Sequence, residues 1–505
     1  MIPAMSHLPL LAAAVCSILP ATLTLTTRAA PVDTQGLPAT VISELLRAQL
    51  PPQALSAVVQ DVESLSPRLS WQAQQSVNPA SLFKLITTFA ALDLLGPAFT
   101  WTTQVWLLGQ QRDGVLDGSV VIKGNGDPKL VVERVLQLLR RVRQLGVREI
   151  RGDIVLDRAA FAAEAATAAD FDGEPHRPYN VRPDALLLSH KSVTYTFTPD
   201  RARGVATIAA EPALHGLTVD REVALSAGPC EDWRAMLGAS PSDPLRMRFE
   251  GSYPARCGER NWALAYADAA SYNARLLRAL WTELGGKLDG SVRDGTAPNT
   301  PPSFEMTSPP LADVVRDINK FSNNVMAQQL FLTLSARSPA STQAARQVLV
   351  HWLHQRLPQH AADVVVDNGS GLSREQRVSA AALAALLQVA WRSPVMPELM
   401  SSLPVSGLDG TLRRAQAATG RAHLKTGSLR DVVALAGYVT LPSGKRRILV
   451  AIIQHPQAQA GRGALEALLQ WTAEEHPKTG PSRPSPAGIK ERGRATFPSE
   501  QPRSR

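Results

Sequence analysis

The chain has 505 residues, 44% of them hydrophobic and 5% aromatic, and carries a formal net charge of +9 at neutral pH. A chain of this size exceeds what one hydrophobic core usually organises, and its apolar content excludes a largely disordered protein, so we expect two or three folded domains. No nucleic-acid-binding motif accompanies the positive charge. The charge therefore favours peripheral contact with an anionic membrane or wall surface, and not with nucleic acid.

Residues 1–30 predict a secretory signal peptide. The apolar run at residues 8–19, which includes Cys16, has a length that suits a signal sequence better than a membrane span. We therefore expect export to the periplasm, an oxidising compartment in which disulfides persist. Once Cys16 is removed with the signal, Cys230 and Cys257 remain, and we predict that they form a disulfide; two unrelated thiols are the alternative.

The first candidate catalytic residues are Ser81 and Lys84, at the start of a predicted buried helix. Residues at positions i and i+3 of a helix share one face, so the Lys84 amine can reach the Ser81 hydroxyl and act as its base. The apolar run at residues 85–92 supports the helix, whose N-terminus favours the negative charge of an alkoxide. Taken alone, a Ser-x-x-Lys tetrapeptide indicates little, because an exposed serine and a solvated lysine on an ordinary helix satisfy it equally well.

A long insertion follows this helix. About 240 residues separate Ser81 from the next candidate motif, far more than one helical lobe needs, so we expect inserted accessory structure at residues 101–295. Segments typical of β-strands alternate with turns over most of this stretch, and a helical segment at residues 130–145 interrupts them. The proline-rich stretch at residues 298–303 marks the return of the chain to the domain that contains Ser81.

The second motif is the tripeptide Ser322-Asn323-Asn324, which lies directly before an apolar helical run. Serine and asparagine are also the commonest helix N-caps, so by itself the tripeptide is equally consistent with an ordinary cap. Further on, the alanine- and leucine-rich run at residues 380–391 predicts another helix of the same lobe.

The third motif is Lys425-Thr426-Gly427-Ser428, which opens a strand, turn and strand pattern. We expect this motif at the edge of an antiparallel sheet, where Gly427 lets a substrate backbone approach closely. An amphipathic helix at residues 463–475 closes the domain. The predicted fold class is therefore α+β, with a helical lobe packed on an antiparallel sheet and the site in the cleft between them.

The sequence contains no pattern that indicates a metal site or a cofactor, and it ends in a segment of biased composition. Residues 476–505 are rich in Pro, Ser, Gly, Lys and Arg, which predicts a disordered basic tail. His351, His354 and His360 lie close in sequence, but no carboxylate or cysteine completes a ligand set, so a helical surface is the better interpretation.

The three motifs, in this order and context, resemble the low-molecular-mass, class C penicillin-binding proteins, which are D-alanyl-D-alanine carboxypeptidases and endopeptidases with a large insertion in the catalytic domain. Further resembling segments lie at residues 124–128, 152–157, 177–187, 308–312, 367–374 and 403–412, and the resemblance extends over about residues 38–475. It implies a penicillin-binding/β-lactamase-like transpeptidase domain assembled from residues 37–100 and 296–475, with two nested β-rich accessory domains between them.

The resemblance also implies an activity: hydrolysis of peptidoglycan stem peptides through an acyl-enzyme at Ser81, with inhibition by penicillin and other β-lactam antibiotics. The implied catalytic residues are Ser81, Lys84, Ser322, Asn324 and Lys425. Residues implied to contact the substrate are Thr426, Gly427 and Ser428, then Arg374 and an acidic residue of the insertion, Asp172 or Glu174. Arg430 is a weaker candidate at the border of the cleft.

Two alternative functions share these motifs. A β-lactamase has the same trio, but the sequence lacks the Glu-x-x-x-Asn motif that activates the deacylating water, and β-lactamases usually lack a large insertion. A catalytically idle wall-binding protein would retain the fold, but the complete set of motif residues argues against it. Gln328 stands where the family pattern has a glutamate, which puts one supporting contact in doubt.

Overall fold

The structure is a computed structural model that describes residues 36–335 and 337–475. The predicted signal peptide and the predicted basic tail lie outside the described residues. The fold is mixed α+β, as the sequence predicts. Within the described ranges, no helix is both long enough and apolar enough to cross a lipid bilayer.

The described helices are α1 (Ala39–Arg47), α2 (Phe83–Leu95), α3 (Val132–Gln144), α4 (Trp233–Met236), α5 (Tyr272–Glu283), α6 (Leu311–Phe321), α7 (Asn324–Thr333), α8 (Thr342–Arg356), α9 (Ala380–Trp391), α10 (Met396–Ser402) and α11 (Arg462–Ala473). The described strands are β1 (Leu55–Asp61), β2 (Leu69–Trp71), β3 (Thr102–Arg112), β4 (Val115–Lys123), β5 (Glu149–Ile150), β6 (Ile154–Asp157), β7 (Ser192–Asp200), β8 (Val205–Glu211), β9 (Thr218–Val219), β10 (Glu222–Ser226), β11 (Leu237–Ser240), β12 (Arg246–Pro254), β13 (Arg260–Ala265), β14 (Lys287–Leu288), β15 (Val292–Asp294), β16 (Phe304–Thr307), β17 (Ala422–Leu429), β18 (Val432–Thr440) and β19 (Arg446–Gln454).

Five strands from the two ends of the described chain form an antiparallel sheet in the order β17, β18, β19, β1, β2. Successive residues of a strand point to opposite faces, so alternate side chains of β19 enter two different cores. Val450 packs in the core that includes α2 and α9, and Ala451 packs in the core that includes α1 and α11. Helices therefore cover both faces of this sheet, which explains why β18 and β19 are almost continuously apolar and buried.

Helix α2 is the centre of the helical lobe. Every residue from 83 to 92 is buried, Lys84 included, as expected of a helix that is apolar on all sides. Helices α6, α7, α8 and α10 contact it. Phe89 of α2 meets Trp352 of α8 edge to face at 5.4 Å between ring centroids, a geometry that adds about 0.5–1.5 kcal/mol beyond area burial. The helix ends at Gly96, whose φ of 80° suits glycine.

Two further sheets are built from the chain between α2 and α6. Strands β3 to β6 pair with β14, β15 and β16 in one sheet, and strands β7 to β13 form the other. The second sheet is thus nested inside the first along the chain. A single hydrophobic core contains side chains from both sheets and from α3 and α5.

The first inserted sheet extends past the predicted boundary at residue 295. Its strand β16 pairs antiparallel with β3, with Phe304 opposite Val105, so the proline-rich stretch at residues 298–303 precedes the last strand of the sheet and does not follow it. We propose accordingly that two nested accessory domains occupy residues 101–307, and that the catalytic domain consists of residues 37–100 and 308–475.

The predicted disulfide between Cys230 and Cys257 is confirmed. The two residues are 27 positions apart and their Cα atoms lie 5.0 Å from each other. Cys230 precedes α4 and Cys257 follows β12, so the bond ties a connecting segment to the second inserted sheet. Cys257 is buried in the core of the inserted region.

We expect the double variant Cys230→Ser/Cys257→Ser to unfold at a lower temperature than the wild type. A cross-link that closes a loop of this length restricts the unfolded chain, and its loss costs about 3 kcal/mol. Thermal unfolding followed by circular dichroism measures the shift, and wild type treated with a reductant should match the variant. Equal Tm values for the oxidised wild type and the variant would contradict this prediction.

Candidate active site

The candidate nucleophile Ser81 lies in a 3-10 turn, Ala80–Leu82, that leads directly into α2. Ala80 has a φ of 47°, an uncommon conformation for a residue with a side chain. The side chain of Asn78 holds this turn: its Oδ1 accepts from the Ala80 amide at 2.9 Å, and its Nδ2 donates to the Ser373 carbonyl oxygen at 2.8 Å. The turn thus fixes the Ser81 hydroxyl at the N-terminus of a buried helix.

Gly371 packs against the same turn from the opposite side. A Cβ atom placed on Gly371 would lie 2.0 Å from the carbonyl oxygen of Ala80, and the φ of Gly371 is +83°. Both facts favour glycine: the Ala80 backbone occupies the space that a side chain would need, and glycine adopts a positive φ without steric cost.

The side chain of Lys84 makes three short contacts. Its Nζ lies 3.0 Å from Ser81 Oγ, 2.6 Å from Asn324 Oδ1 and 2.5 Å from the Ser370 carbonyl oxygen. A neutral amine has two N–H groups and one lone pair. The two carbonyl-type oxygens can accept both N–H groups, which leaves the lone pair for the hydroxyl proton of Ser81.

Burial is the main cause of a depressed pKa at Lys84. The side chain is completely buried, and burial, followed by the positive charge of Lys425, holds the pKa of Lys84 well below its ordinary value. This shift favours the neutral amine, the form that can accept a proton. The amine that the sequence predicts as the base for Ser81 therefore lies within hydrogen-bond distance of its hydroxyl, and its surroundings favour the neutral form.

The three residues of the second motif have different structural roles. Ser322 ends α6 in the left-handed conformation, with φ 56°. The side chain of Asn323 caps α7, where its Oδ1 accepts from the Met326 amide at 3.1 Å. The capping function that the sequence left open thus belongs to Asn323, and Ser322 and Asn324 are left to contact the two lysines of the cleft.

Lys425 pairs with Ser322 across the cleft. Its Nζ lies 2.9 Å from Ser322 Oγ and donates to the Thr426 carbonyl oxygen at 2.9 Å. Burial lowers the pKa of Lys425 to about 7. The site therefore contains two serine and lysine pairs, Ser81 with Lys84 and Ser322 with Lys425.

The Lys-Thr-Gly motif lies on β17, the last strand of its sheet, as the sequence predicts. Among the described residues, an isolated bridge at His423 is the one β-type pairing on the outer side of this strand. A Cβ on Gly427 would lie 2.9 Å from the Pro79 carbonyl oxygen, so glycine lets β17 pass close to the nucleophile turn. An outer edge of this kind can accept an extended peptide as an added strand.

Two hydroxyl groups of β17 have partners that the sequence did not indicate. Thr426 Oγ1 donates to Thr411 Oγ1 at 2.8 Å. Ser428 Oγ accepts from Gln459 and Arg462, each at 3.4 Å. No local sequence pattern links these segments, which are brought together by the sheet and by the turn that precedes α11.

The insertion reaches the cleft through its segment around Asp172. Asp172 accepts from the Tyr179 hydroxyl at 2.9 Å and from the Asn180 side chain at 2.7 Å, and the Tyr179 carbonyl oxygen accepts from Asn324 Nδ2 at 3.1 Å. Burial and the bond to Asp172 raise the pKa of Tyr179 to about 12. The alternative acidic residue, Glu174, forms an exposed ion pair with Arg177.

Arg374 lies between the insertion and the turn that follows β17. Its guanidinium stacks 4.7 Å from the ring centroid of Phe171 and donates to Asp431 at 3.2 Å. The structure thus brings Arg374 and the Asp172 segment together, since Phe171 and Asp172 are adjacent. Arg430 is exposed and makes no side-chain hydrogen bond or ion pair within residues 36–335 and 337–475.

Gln328, which replaces the glutamate of the family pattern, contacts the loop that carries Ser370. Gln328 Nε2 donates to Ser370 Oγ at 3.3 Å, and Ser370 Oγ donates to Asn368 Oδ1 at 2.8 Å. Glutamine therefore still contacts the loop whose backbone carbonyl binds Lys84. Ser370 itself escaped prediction, because it acts through a backbone oxygen that every residue possesses.

The site thus combines a candidate nucleophile, Ser81, in the turn that leads into α2, a candidate base, Lys84, in the first turn of α2, a second serine and lysine pair, and a sheet edge. This arrangement is typical of serine acyl-transfer enzymes of the penicillin-binding type. The chain belongs to the D-Ala-D-Ala carboxypeptidase 3 (S13) family, which matches residues 39–475. The family that the sequence motifs indicated is thereby confirmed, and the protein is a serine hydrolase of the D-Ala-D-Ala carboxypeptidase type.

Individual relatives agree with this assignment. The chain is 30% identical over 444 residues to a D-alanyl-D-alanine carboxypeptidase of Actinomadura sp. (strain R39), covering 82% of this chain and 81% of that protein. It is 25% identical over 392 residues to the D-alanyl-D-alanine carboxypeptidase DacB of Haemophilus influenzae, covering 74% and 80%. The crystal structure of penicillin binding protein 4 (dacB) from H. influenzae superposes with a TM-score of 0.68 at 22% identity, over 85% of this chain and 99% of that one. This superposition confirms the predicted fold class.

We expect Gly371→Ala to lower the rate of acylation by penicillin by roughly tenfold or more, because the added methyl group must displace the turn that carries Ser81. Gly444→Ala is a matched control: Gly444 has a φ of +82°, close to that of Gly371, but nothing lies within 4 Å of its Cβ position. The control separates the effect of a left-handed backbone on the acylation rate from the effect of the contact with Ala80. Equal acylation rates in the two variants would show that the contact with Ala80 does not matter.

We expect Lys425→Met to shift the acidic limb of the pH profile of acylation to higher pH, by roughly half to one unit. The positive charge of Lys425 lowers the pKa of Lys84, so its removal raises that pKa and more alkaline solution is needed to deprotonate the base. Second-order rate constants for a fluorescent penicillin, measured between about pH 5 and 9, reveal the midpoint. Lys445→Met, at an exposed lysine in the turn before β19, is the control, and an unchanged midpoint in Lys425→Met would refute the coupling.

Proposed function

We propose that the protein hydrolyses D-Ala-D-Ala bonds of peptidoglycan stem peptides through an acyl-enzyme at Ser81, as a carboxypeptidase, an endopeptidase or both. The observation that carries the proposal is the 3.0 Å contact between Lys84 Nζ and Ser81 Oγ, made by an amine whose pKa burial depresses. The names of the Actinomadura and Haemophilus relatives support the same substrate bond.

Acylation begins when Ser81 Oγ attacks the carbonyl carbon of the bond and its proton passes to the lone pair of Lys84. The tetrahedral intermediate bears a negative oxygen, for which the backbone N–H groups of Ser81 and Ser428 are the proposed donors. Each donor of this kind contributes roughly 3 kcal/mol to transition-state stabilisation. Gly427 permits the close approach of β17 to the nucleophile turn on which this arrangement depends.

Departure of the leaving group requires a proton on its amine. Ser322, whose Oγ lies 2.9 Å from Lys425 Nζ, is proposed to relay this proton. Burial lowers the pKa of Lys425 to about 7, which suits proton exchange near neutral pH. Asn324 is proposed to bind the substrate amide as well as Lys84. Thr426 and Ser428 are proposed to bind the carboxylate of the leaving residue, with Lys425 supplying charge.

Water then attacks the acyl-enzyme and releases the shortened peptide. With penicillin the same serine forms an acyl-enzyme whose hydrolysis is slow, because the chain lacks the Glu-x-x-x-Asn motif of a water-activating base. A β-lactamase activity is therefore not favoured. The intact lysine and serine pairs equally disfavour an idle wall-binding protein.

The donor side of the cleft is proposed to contact the stem peptide through Asp172 and Arg374. Asp172 is exposed and carries a negative charge that suits the free amine of the third residue of the stem. The acyl-enzyme chemistry, the predicted signal peptide and the disulfide are consistent with export, and we propose a periplasmic location with peripheral contact to the anionic wall or membrane. No metal or cofactor is part of the proposal.

We expect Ser81→Ala to abolish labelling by a fluorescent penicillin and to reduce hydrolysis of purified muropeptides by more than roughly 1,000-fold, since the nucleophile is lost. Ser43→Ala, at an exposed serine of α1, should behave as wild type. Mass spectrometry of the penicillin adduct should locate it on the peptide that contains Ser81. Monomers shortened by one D-Ala identify carboxypeptidase activity, and split dimers identify endopeptidase activity. An adduct on another residue would disprove the proposed mechanism.

A further inference from the structure

A pocket of about 410 Å³ adjoins the catalytic cleft on the side of Ser322 and Thr426. It is lined by Lys320, Phe321, Gly410, Thr411, Arg413 and Arg414. Phe321 directly precedes Ser322 in the chain, and Thr411 accepts the hydrogen bond from Thr426. The pocket is therefore continuous with residues of the proposed mechanism, although none of the roles proposed above uses it.

The floor of this pocket is held in place by three contacts. The buried ammonium of Lys320 pairs with Asp409 at 2.6 Å. A Cβ on Gly410 would lie 2.5 Å from the Lys320 carbonyl oxygen, so the turn at residues 410–412 packs directly on the end of α6. The bond between Thr411 and Thr426 attaches the same turn to β17. Arg413 and Arg414 follow this anchored turn.

The pocket carries an uncompensated positive charge. The charge of Lys320 is neutralised by Asp409. Burial raises the pKa of Asp409, but the hydrogen bond from Lys320 and the charges of Lys320 and Arg316 outweigh it and keep this pKa below its ordinary value. Arg413 and Arg414 are exposed, and neither makes a side-chain hydrogen bond or ion pair within the described part of the chain. Two guanidinium groups are thus available to an anion, beside the exposed ring of Phe321.

In the proposed mechanism, the pocket lies on the leaving-group side of the scissile bond. Two of the groups proposed to act on the leaving residue adjoin its lining: Ser322 follows Phe321 in the chain, and Thr426 donates to Thr411. The groups proposed to contact the donor stem, Asp172 and Arg374, meet instead at Phe171 and Asp431, beyond the other end of β17. A substrate strand that lies along β17 therefore presents its acyl part to one end and its leaving part to the pocket.

We infer that Arg413 and Arg414 bind a carboxylate of the peptide attached to the leaving amine, so that the pocket selects cross-linked stem peptides. This inference rests on the proposed function. A leaving D-alanine has one carboxylate, which Thr426 and Ser428 hold, and a methyl side chain, so it offers no second anion. In a cross-link, the leaving amine belongs to a second stem peptide, which carries further carboxylates. Guanidinium groups recognise carboxylates through paired hydrogen bonds.

The test compares wild type with Arg413→Gln/Arg414→Gln on three purified substrates: a pentapeptide monomer, a cross-linked dimer, and the same dimer with its acceptor-stem carboxylates amidated. We expect kcat/KM for the dimer to fall roughly three- to tenfold in the variant, as for exposed charge pairs. The monomer and the rate of penicillin acylation should stay within about twofold of wild type. Amidation should lower the wild-type rate by a similar factor and leave the variant unaffected. The control variant is Arg221→Gln/Arg248→Gln, at two exposed arginines of the inserted region.

The outcomes separate this inference from the proposed function. Three outcomes contradict the inference alone. They are an unchanged kcat/KM for the dimer in the variant, an equal fall in kcat/KM for monomer and dimer, and a wild type that cleaves the monomer but not the dimer. A wild-type rate that does not respond to amidation also contradicts it, and this measurement does not depend on the folding of any variant. A wild type that is neither acylated by penicillin nor active on either substrate contradicts the proposed function, and the inference with it.

Discussion

The buried amine of Lys84 beside the Ser81 hydroxyl is the feature on which the rest of the site depends. Water would keep a lysine protonated at neutral pH, so the helix that carries Lys84 must be enclosed on every side, and the sheet and the surrounding helices enclose it. The acceptors of its N–H groups come from two distant parts of the chain, the start of α7 and the loop at Ser370. The packing that buries Lys84 in the core of this domain is therefore also the main cause of its lowered pKa.

The parts of the site that the sequence predicted are those encoded locally. The spacing of Ser81 and Lys84 is a property of one helical turn, and the strand pattern after Lys425 is visible in consecutive residues. The disulfide was predictable because the predicted signal peptide contains Cys16, which leaves Cys230 and Cys257 as a pair. The extent of the inserted sheet was not predictable. The pairing of β16 with β3 joins residues about 200 positions apart and does not depend on the composition of the stretch between them.

Backbone features explain most of what the sequence did not show. The left-handed conformation of Ser322 and of Ala80 has no signature in residue type, since neither is glycine. Ser370 and Tyr179 act through carbonyl oxygens, which side-chain motifs do not report. The Ser-Asn-Asn motif was ambiguous for a related reason: only the chain geometry shows that its middle residue, Asn323, is the N-cap of α7 and that Ser322 and Asn324 are not N-caps.

The hydrogen bond from Asn324 to the Tyr179 carbonyl oxygen connects the inserted region to the surroundings of Lys84. One amide group joins Lys84 on one side to the inserted segment on the other. Trimming this enzyme to a minimal domain, or grafting a foreign insert between its two halves, would therefore preserve every recognisable motif and still alter the surroundings of the base. The inserted region is a separate segment of the sequence, but it is not structurally independent of the candidate active site.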